Sequence, residues 1–271
     1  MAFDDAYQDL SLAADAQLGA AVLHLIFNRP SLRNALSQRM VAELRRALAE
    51  AEAGGVVRVI VLRGAGGHFC AGADLADMSQ ARALAAEQGP APLAEANASF
   101  GYLCQDFARS GLATVAVLEG SVMGGGFGLA CVADLVLASE TVQFRLPETA
   151  LGLIPAQIAP FLIERLGVSQ ARRLAVTGAR VGAQEAQELG LVHKLYASAQ
   201  LEAAIAQHVR EILQCAPRAL AASKALLALA QPRADLVEQA AQLFAQAALG
   251  SEGLEGVAAF VERRKPRWSP A

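Results

Sequence analysis

The chain has 271 residues, of which 54% are hydrophobic but only 5% aromatic, so its apolar content lies mainly in Ala, Leu and Val. Charged residues make up 18% and the formal net charge is -3, whereas proteins that bind nucleic acid backbones usually carry a strongly basic surface. This composition argues against disorder and against nucleic acid as a partner. A chain of this length can bury a large core, and we expect further apolar surface to be hidden between subunits.

The sequence carries no pattern typical of secretion or membrane insertion. Asp4, Asp5 and Asp9 stand where a secretory signal would have basic and apolar residues. No uninterrupted apolar stretch reaches the twenty or so residues of a membrane span. The four cysteines form no C-x-x-C pair and have no His at metal-ligand spacing. We therefore expect a cytoplasmic protein with free thiols, no metal and no membrane partner.

Strands and helices alternate along the first two thirds of the chain, and helices follow alone. Apolar and β-branched runs predict strands, and Ser37 stands at the N-cap position of a helix that ends near Glu52. The predicted strands are residues 21–27, 56–62, 113–118, 135–138 and 142–145. The further predicted helices are residues 127–132, a segment opened by residues 152–155 and ended by Gly167, and residues 183–189, 201–213, 219–229 and 235–249.

This layout predicts an α/β core over residues 1–200 and a helical C-terminal region over residues 201–271, with no repeat of fixed length. Residues 79–97 are rich in Ala, Gln and Glu, are interrupted by Gly89 and Pro90, and show weak periodicity. We interpret this segment as partly helical and mobile, and as the best candidate for a lid.

A cluster of three glycines, Gly124, Gly125 and Gly126, stands between a predicted strand and a predicted helix. Glycine permits positive φ and close approach of a ligand to the backbone, and a helix N-terminus favours a developing oxyanion. The cluster fits neither a dinucleotide-binding motif nor a phosphate loop, and Ser121 lacks the flanking glycine of a nucleophile elbow. The alternative interpretation is that the glycines only allow tight packing.

A second turn of small residues, Ala71, Gly72 and Ala73, follows another strand, and the two turns together can direct two amide groups at one carbonyl oxygen. Glu148, preceded by Pro147 in an apolar stretch, is a candidate for proton transfer because desolvation raises the pKa of a carboxyl group. The alternative for Glu148 is a structural role at a helix start.

These features resemble the crotonase superfamily, also called the enoyl-CoA hydratase/isomerase family. The resemblance is carried by short motifs spread over most of the chain: FNRP with RNAL (27–36), FCAGADL (69–75), the glycine cluster with Gly120, LPE with GLIP (146–155), TGAR (177–180), and FVERRKP (260–266). It implies a crotonase-type spiral of β-β-α turns, a C-terminal helical trimerisation region and an acyl-CoA thioester as substrate. The assembly it implies is a homotrimer or a dimer of trimers.

The resemblance also assigns roles within the site. The thioester oxygen is expected to accept hydrogen bonds from the backbone amides of Ala73 and Gly125, with Glu148 as the catalytic acid or base. The adenine end of CoA is expected near the turn formed by residues 71–75. The substrate-binding residues are then Ala71, Gly72, Asp74, Leu75, Gly124, Gly128 and Gln157, and the residues considered for the CoA phosphates are Arg29, Arg33 and Lys265. No cofactor is implied beyond the coenzyme A of the substrate.

The chain departs from the two-glutamate hydratases of that family at one position. Gly128 stands where those enzymes carry a second carboxylate, so Glu148 alone remains. The sequence around Gly128 and residues 153–161 resembles hydratases of 3-methylglutaconyl-CoA or isohexenylglutaconyl-CoA. We interpret Gly128 as leaving volume for a branched acyl group and as removing a charge that would repel a substrate carboxylate. Gln157 is a candidate partner for the acyl end or merely a polar helix-start residue; for Arg145 we favour an ion pair elsewhere over a substrate carboxylate.

Two other functions remain open from the sequence. One is a Δ3-Δ2-enoyl-CoA isomerase in which a single glutamate shuttles a proton. The other, of a different class, is a trimer that binds acyl-CoA without turnover. Retention of Glu148 and of both small-residue turns argues against the second alternative, whereas the missing acid argues for it.

Overall fold

The computed structural model describes residues 7–229 and 237–267. Its strands are β1 (Leu10–Asp15), β2 (Gly19–Phe27), β3 (Val59–Gly64), β4 (Ala113–Leu118), β5 (Ser121–Met123), β6 (Leu135–Ser139), β7 (Gln143–Arg145), β8 (Arg180–Gly182) and β9 (Lys194–Tyr196). Its helices are α1 (Gln38–Gly54), α2 (Leu75–Gln88), α3 (Ala91–Arg109), α4 (Gly125–Val132), α5 (Ala159–Thr177), α6 (Ala183–Glu188), α7 (Leu201–Leu213), α8 (Pro217–Leu229), α9 (Val237–Leu249) and α10 (Ser251–Val261). Short 3₁₀ segments connect several of them, among them Glu148–Leu151.

The larger sheet has the order β1-β2-β3-β4-β6-β9 and is parallel apart from β1, which pairs antiparallel with β2. Its central strands are buried on both faces, as parallel strands covered by helices are. In β3, Ile60 and Leu62 join the core beneath α1, α3 and α4. Val59 and Val61 point the other way and pack with residues of α7. The predicted central strands are confirmed, whereas β1 and β9, the two edge strands, were not predicted.

A smaller sheet with the order β5-β7-β8 brings separate parts of the chain to one place. β5 is parallel to β7, and β7 is antiparallel to β8. Cys70 forms an isolated bridge with Val122 of β5. Because β5 leads directly into α4, this bridge holds the loop after β3 beside the N-terminus of α4.

Helix α1 follows the local rules that its sequence predicts. The Ser37 side chain accepts a hydrogen bond from Met40 N at 2.9 Å, and Gly55 ends the helix in the left-handed region at φ 65°. Apolar residues of one face, among them Leu44 and Leu48, are buried against the sheet.

Two predicted segments differ from the structure. Residues 79–97 fall within two regular helices, α2 and α3, because Gly89 and Pro90 end one helix and begin the next. The helix expected from residues 152–155 to Gly167 begins later, at Ala159, and continues past Gly167 to Thr177. Gly167 makes a kink in it at φ 71°, so the glycine changes the helix direction without ending the helix.

The C-terminal helices are partly as predicted. Helices α7 and α8 are confirmed, and α9 covers the described part of the helix expected over residues 235–249, whose first two residues lie outside the described ones. Helices α9 and α10 pack against α3 and against the Glu148–Leu151 segment. The division at residue 200 stays a prediction. None of the helices in the described ranges is long and apolar enough to cross a membrane.

Candidate active site

The two small-residue turns identified from the sequence lie in contact. Cys70 N–H donates to Ser121 O at 2.9 Å, and Met123 N–H donates to Cys70 O at 3.0 Å. Gly72 has φ +95°, and a Cβ there would lie 3.2 Å from Met123 O. Gly124 has φ +50°, and a Cβ there would lie 3.6 Å from the Cα of Gly72. Both positions favour glycine through their positive φ, and at Gly72 a Cβ would also crowd Met123 O.

The turns leave two backbone amides available to a ligand. Leu36 N–H donates to Gly72 O at 2.8 Å, and Asp74 N–H donates to Leu36 O at 2.9 Å. Between them, Ala73 N–H has no acceptor among residues 7–229 and 237–267. Gly125 is the first residue of α4, so its N–H has no intrahelical acceptor. The arrangement provides two neighbouring donors, one of them at the positive end of a helix dipole.

The sulfur of Cys70 lies behind these two turns. Gly72 N–H approaches Sγ at 3.4 Å, and a Cβ on Gly126 would lie 2.9 Å from the same sulfur. Burial raises the pKa of Cys70 to about 12, so the thiol stays protonated at neutral pH. From the sequence this residue was recognised only as a free thiol; in the structure it fills the space between the glycine turns.

Glu148 begins a single 3₁₀ turn, which Gly152 ends at φ 69°. A Cβ on Gly124 would lie 3.0 Å from Glu148 Oε1, so the carboxyl group packs directly against the glycine turn. The other oxygen, Oε2, is buried and has no hydrogen-bond partner within the described part of the chain. Burial raises the pKa of Glu148 to about 7. A carboxyl group with this pKa can both accept and return a proton at neutral pH.

A cavity of about 580 Å³ opens in front of Glu148 and the two turns. Its wall is largely apolar and includes Phe100 of α3 and Phe244 and Phe260 of the C-terminal helices. Of the residues expected at the site, those that border it are Ala71, Gly72, Ala73, Asp74, Leu75, Gly124, Gly125, Glu148 and Gln157. The structure thus brings together expected site residues from four separate stretches of sequence.

Gly128 lies outside this cavity wall, so the cavity gives no support to the interpretation that Gly128 leaves volume for the acyl group. A Cβ at Gly128 would lie 3.2 Å from Ile158 Cγ1 and 3.2 Å from Phe100 Cζ. These two side chains border the cavity and lie against Gly128, whereas Gly125 at the start of the same helix borders the cavity directly. Phe100 was not predicted as a site residue; it lies just beyond residues 79–97, the segment interpreted as a mobile lid.

Gln157 is neither free nor at a helix start. Its side chain is buried, and Nε2 donates to Asn97 Oδ1 at 3.0 Å and to Val237 O at 2.9 Å. Both N–H groups are therefore used within the protein, where they connect α3 to α9. Helix α5 begins two residues later, at Ala159.

The basic residues considered for the CoA phosphates have different surroundings. Arg29 Nη2 lies 2.7 Å from Asp74 Oδ2, and Arg29 Nη1 donates to Ala35 O at 2.7 Å. Burial alone would raise the pKa of Asp74, but hydrogen bonds from Arg29 and from Ala76 N–H hold it below its ordinary value. Arg29 therefore supports the N-terminus of α2, while Arg33 and Lys265 are exposed.

Arg145 borders the cavity, and its Nε donates to Gly178 O at 3.0 Å. The ion pair expected for it is absent from the part of the chain that the structure describes. Its backbone oxygen accepts from Gly124 N–H at 3.1 Å, which fixes the start of the glycine turn.

The fold places two available backbone amides, those of Ala73 and Gly125, near a buried carboxyl group, an arrangement that can polarise a carbonyl oxygen. A family model described as enoyl-CoA hydratase/isomerase matches residues 17–270, and the chain belongs to this family. It is an enzyme of the enoyl-CoA hydratase type, a lyase, and acyl-CoA thioesters are its class of substrate.

Similar proteins cover nearly the whole chain. The enoyl-CoA hydratase domain-containing protein 2 of Bos taurus is 34% identical over 96% of this chain and 88% of its own. The 2,3-dehydroadipyl-CoA hydratase of Escherichia coli is 34% identical over 90% of this chain and 94% of its own. An enoyl-CoA hydratase/isomerase structure from Marinobacter aquaeolei is 46% identical, with a TM-score of 0.78 over 96% of this chain and 98% of that one.

Proposed function

We propose that this chain adds water to the α,β double bond of a 2-enoyl-CoA whose acyl group is branched or carboxylated, as in 3-methylglutaconyl-CoA or isohexenylglutaconyl-CoA. The observation that carries the proposal is the Glu148 carboxyl group, buried with one unpartnered oxygen against the turn that leads into Gly125. An unpaired buried polar atom is costly, and a water or a substrate hydrogen in the cavity would satisfy it.

In the proposed reaction the thioester oxygen accepts hydrogen bonds from Ala73 N–H and Gly125 N–H, which makes the β-carbon electrophilic. Water bonded to the Glu148 carboxylate attacks that carbon as its proton passes to Glu148. The π electrons move onto the thioester and give an enolate, whose charge the two amides stabilise. The enolate then takes a proton at the α-carbon, so the net change is addition of H and OH across the double bond.

One carboxyl group serves both proton transfers in this scheme. Among the residues that the structure describes, the other acidic ones that border the cavity are Asp74 and Asp77. Asp74 pairs with Arg29, and Asp77 Oδ2 accepts from Gln38 N–H at 2.7 Å. Both are therefore engaged in holding helix ends. Glu148, with its pKa near 7, is suited to take the proton from water and return it to the α-carbon.

The acyl class rests on two kinds of support. The residues resemble hydratases of branched glutaconyl thioesters, and one relative is named for 2,3-dehydroadipyl-CoA, a dicarboxylic enoyl thioester. A single buried carboxyl group also repels a substrate carboxylate less than two would. Gly128 gives no support to this acyl class, because Phe100 and Ile158 lie against it.

The proposal is tested by assaying hydration of straight, β-branched and carboxylated 2-enoyl-CoA thioesters, with Glu148→Gln as the inactive reference. We expect the highest kcat/KM with a branched or carboxylated substrate. A preference for straight-chain substrates would contradict the acyl assignment and leave the hydratase chemistry intact.

The single carboxyl group favours one second candidate, isomerisation of a 3-enoyl-CoA, because Glu148 can move a proton between the α- and γ-carbons. Faster conversion of a 3-enoyl-CoA than of any 2-enoyl-CoA would support isomerisation over hydration.

We also propose a homotrimer or a dimer of trimers, without a cofactor beyond the CoA of the substrate. Exposed Leu226 and Leu227 on α8 supply apolar surface that a subunit contact can cover. Light scattering of the purified protein measures the assembly, and a monomer at micromolar concentration would contradict it.

A further inference from the structure

A pair of side-chain amides, Asn97 of α3 and Gln157, lies at the cavity wall. Gln157 Nε2 contacts both Val237 O and Asn97 Oδ1. A backbone carbonyl can only accept, so the Gln157 atom that faces Val237 must be its nitrogen. That nitrogen also faces Asn97, which must therefore present its oxygen. The Val237 carbonyl thus fixes the orientation of both amides.

The consequence is a free donor on Asn97. With Oδ1 turned toward Gln157, its Nδ2 carries two N–H groups and has no acceptor in the ranges 7–229 and 237–267. The residue is half-buried and borders the same cavity as Glu148. The neighbouring wall is apolar and includes Leu93, Ile158 and Phe244. A donor without a partner in such a wall is the type of group that selects a polar ligand atom.

Helix geometry places this donor along the acyl chain. Asn97 and Phe100 are three residues apart on α3 and share a helix face. The Phe100 ring lies 3.3 Å from the position of a Cβ on Gly125, beside the proposed thioester oxygen. Asn97 lies about one turn, roughly 5 Å, nearer the N-terminus of α3 than Phe100. A few carbon–carbon bonds of an acyl chain span that distance.

We propose that Asn97 is a specificity-determining residue that donates a hydrogen bond to an oxygen on the acyl chain of the substrate, beyond its double bond. This inference rests on the proposed function and narrows it to acyl groups that carry an acceptor oxygen. Such a substrate satisfies the amide, whereas an all-carbon chain leaves it unpaired, and that difference produces discrimination.

The acceptor can be a carboxylate or a neutral oxygen, since both accept from an amide. Of the described arginines that border the cavity, Arg29 pairs with Asp74, and Arg145 donates to Gly178 O through Nε. The test therefore uses three 2-enoyl-CoA thioesters of equal chain length that end in a methyl group, a methyl ester or a carboxylate.

Asn97→Asp is the sharpest variant, because it keeps an oxygen that accepts from Gln157 and replaces the free donor by an acceptor. We expect its kcat/KM ratio of ester to methyl substrate to fall about 10- to 100-fold from the wild-type ratio. The carboxylate-to-methyl ratio falls further, through charge repulsion. Asn97→Leu should lower both ratios similarly to each other, and Glu95→Gln, exposed on the same helix, is the control that keeps the wild-type ratios.

Equal losses on all three substrates in Asn97→Asp and Asn97→Leu would overturn the proposal and leave Asn97 a structural residue. If the wild-type protein hydrates none of the three, the proposed function fails, and calorimetry with the saturated thioesters then tests Asn97 alone. In that case, the inference would be overturned if Asn97→Asp binds the three thioesters with the same ratios of Kd as the wild type. Weaker binding of only the ester and carboxylate thioesters would support it.

Discussion

Replacing Glu148 by Gln tests both the electrostatics and the chemistry of the site. The substitution keeps the size of the side chain but removes its ionisation. In the folded protein burial raises the pKa of Glu148 from 4.5 to about 7. A raised carboxyl pKa means that the folded state binds the proton more tightly than the unfolded state does. The wild-type protein therefore loses stability as the pH rises through this window, and the variant does not.

The expected size follows from the two pKa values. One pKa unit corresponds to 1.36 kcal/mol, so ionising Glu148 in the folded chain costs about 3 kcal/mol of unfolding free energy. Relative to wild type, Glu148→Gln should gain about this amount between pH 4.5 and pH 8. The comparison concerns the change with pH, so a constant offset from the new amide does not affect it.

Urea unfolding of both proteins at half-unit pH intervals, followed by circular dichroism, measures this difference. Glu87→Gln removes an exposed carboxylate from α2 and serves as the control, whose curve should run parallel to wild type. A wild-type minus Glu148→Gln difference that stays constant within about 0.5 kcal/mol would refute the reasoning, because the carboxyl group would then be solvated in the folded chain. In parallel, kcat/KM for hydration should rise through pH 7 in the wild type, because the carboxylate form accepts the proton from water.

Three further substitutions test the geometry around the cavity. Gly124→Ala places a Cβ 3.0 Å from Glu148 Oε1 at φ +50°, and we expect roughly a 100-fold loss of kcat/KM in steady-state assays. Gly128→Glu should destabilise the protein by about 1–3 kcal/mol in urea without improving hydration, since Phe100 and Ile158 fill its surroundings; faster hydration would contradict this. Arg82→Ala removes hydrogen bonds to two backbone carbonyls at the α9–α10 corner, and about 2 kcal/mol of stability should be lost in the same assay.

The parts of the fold that local rules govern were predictable from the sequence. Residues 113–118 form β4 as predicted, because a short β-branched run buried on both faces has few alternatives. Ser37 is the N-cap of α1, and serine just before an apolar periodic segment is a sequence signal for a helix start. Strand β1 was missed because Leu10–Asp15 lacks a clear alternation of apolar and polar residues. Its start is fixed by Glu43, whose carboxylate accepts from the backbone N–H groups of Gln8, Asp9 and Leu10, more than thirty residues away in sequence.

The glycine turns and Glu148 were predicted as site residues because small residues follow two strands, because Glu148 stands in an apolar stretch, and because these motifs resemble those of the family. The residues that close the cavity were not, since they depend on tertiary contacts. The amide pair of Asn97 and Gln157 requires Val237, eighty residues from Gln157, to define its orientation. Phe100 lay just beyond a segment whose weak periodicity suggested mobility, and only the packed α3 shows that its ring faces Gly125 and Gly128.

The last helices of the chain contribute Phe244 and Phe260 to the cavity wall and the Val237 carbonyl to the amide pair. Local opening of α9 and α10 removes part of the cavity wall, so we expect a bound thioester to stabilise these helices through mass action. Amide hydrogen exchange in α9 and α10 should slow with ligand concentration, while exchange in the central strands follows global unfolding. The affinity for the substrate therefore depends on the fraction of molecules in which α9 and α10 are folded.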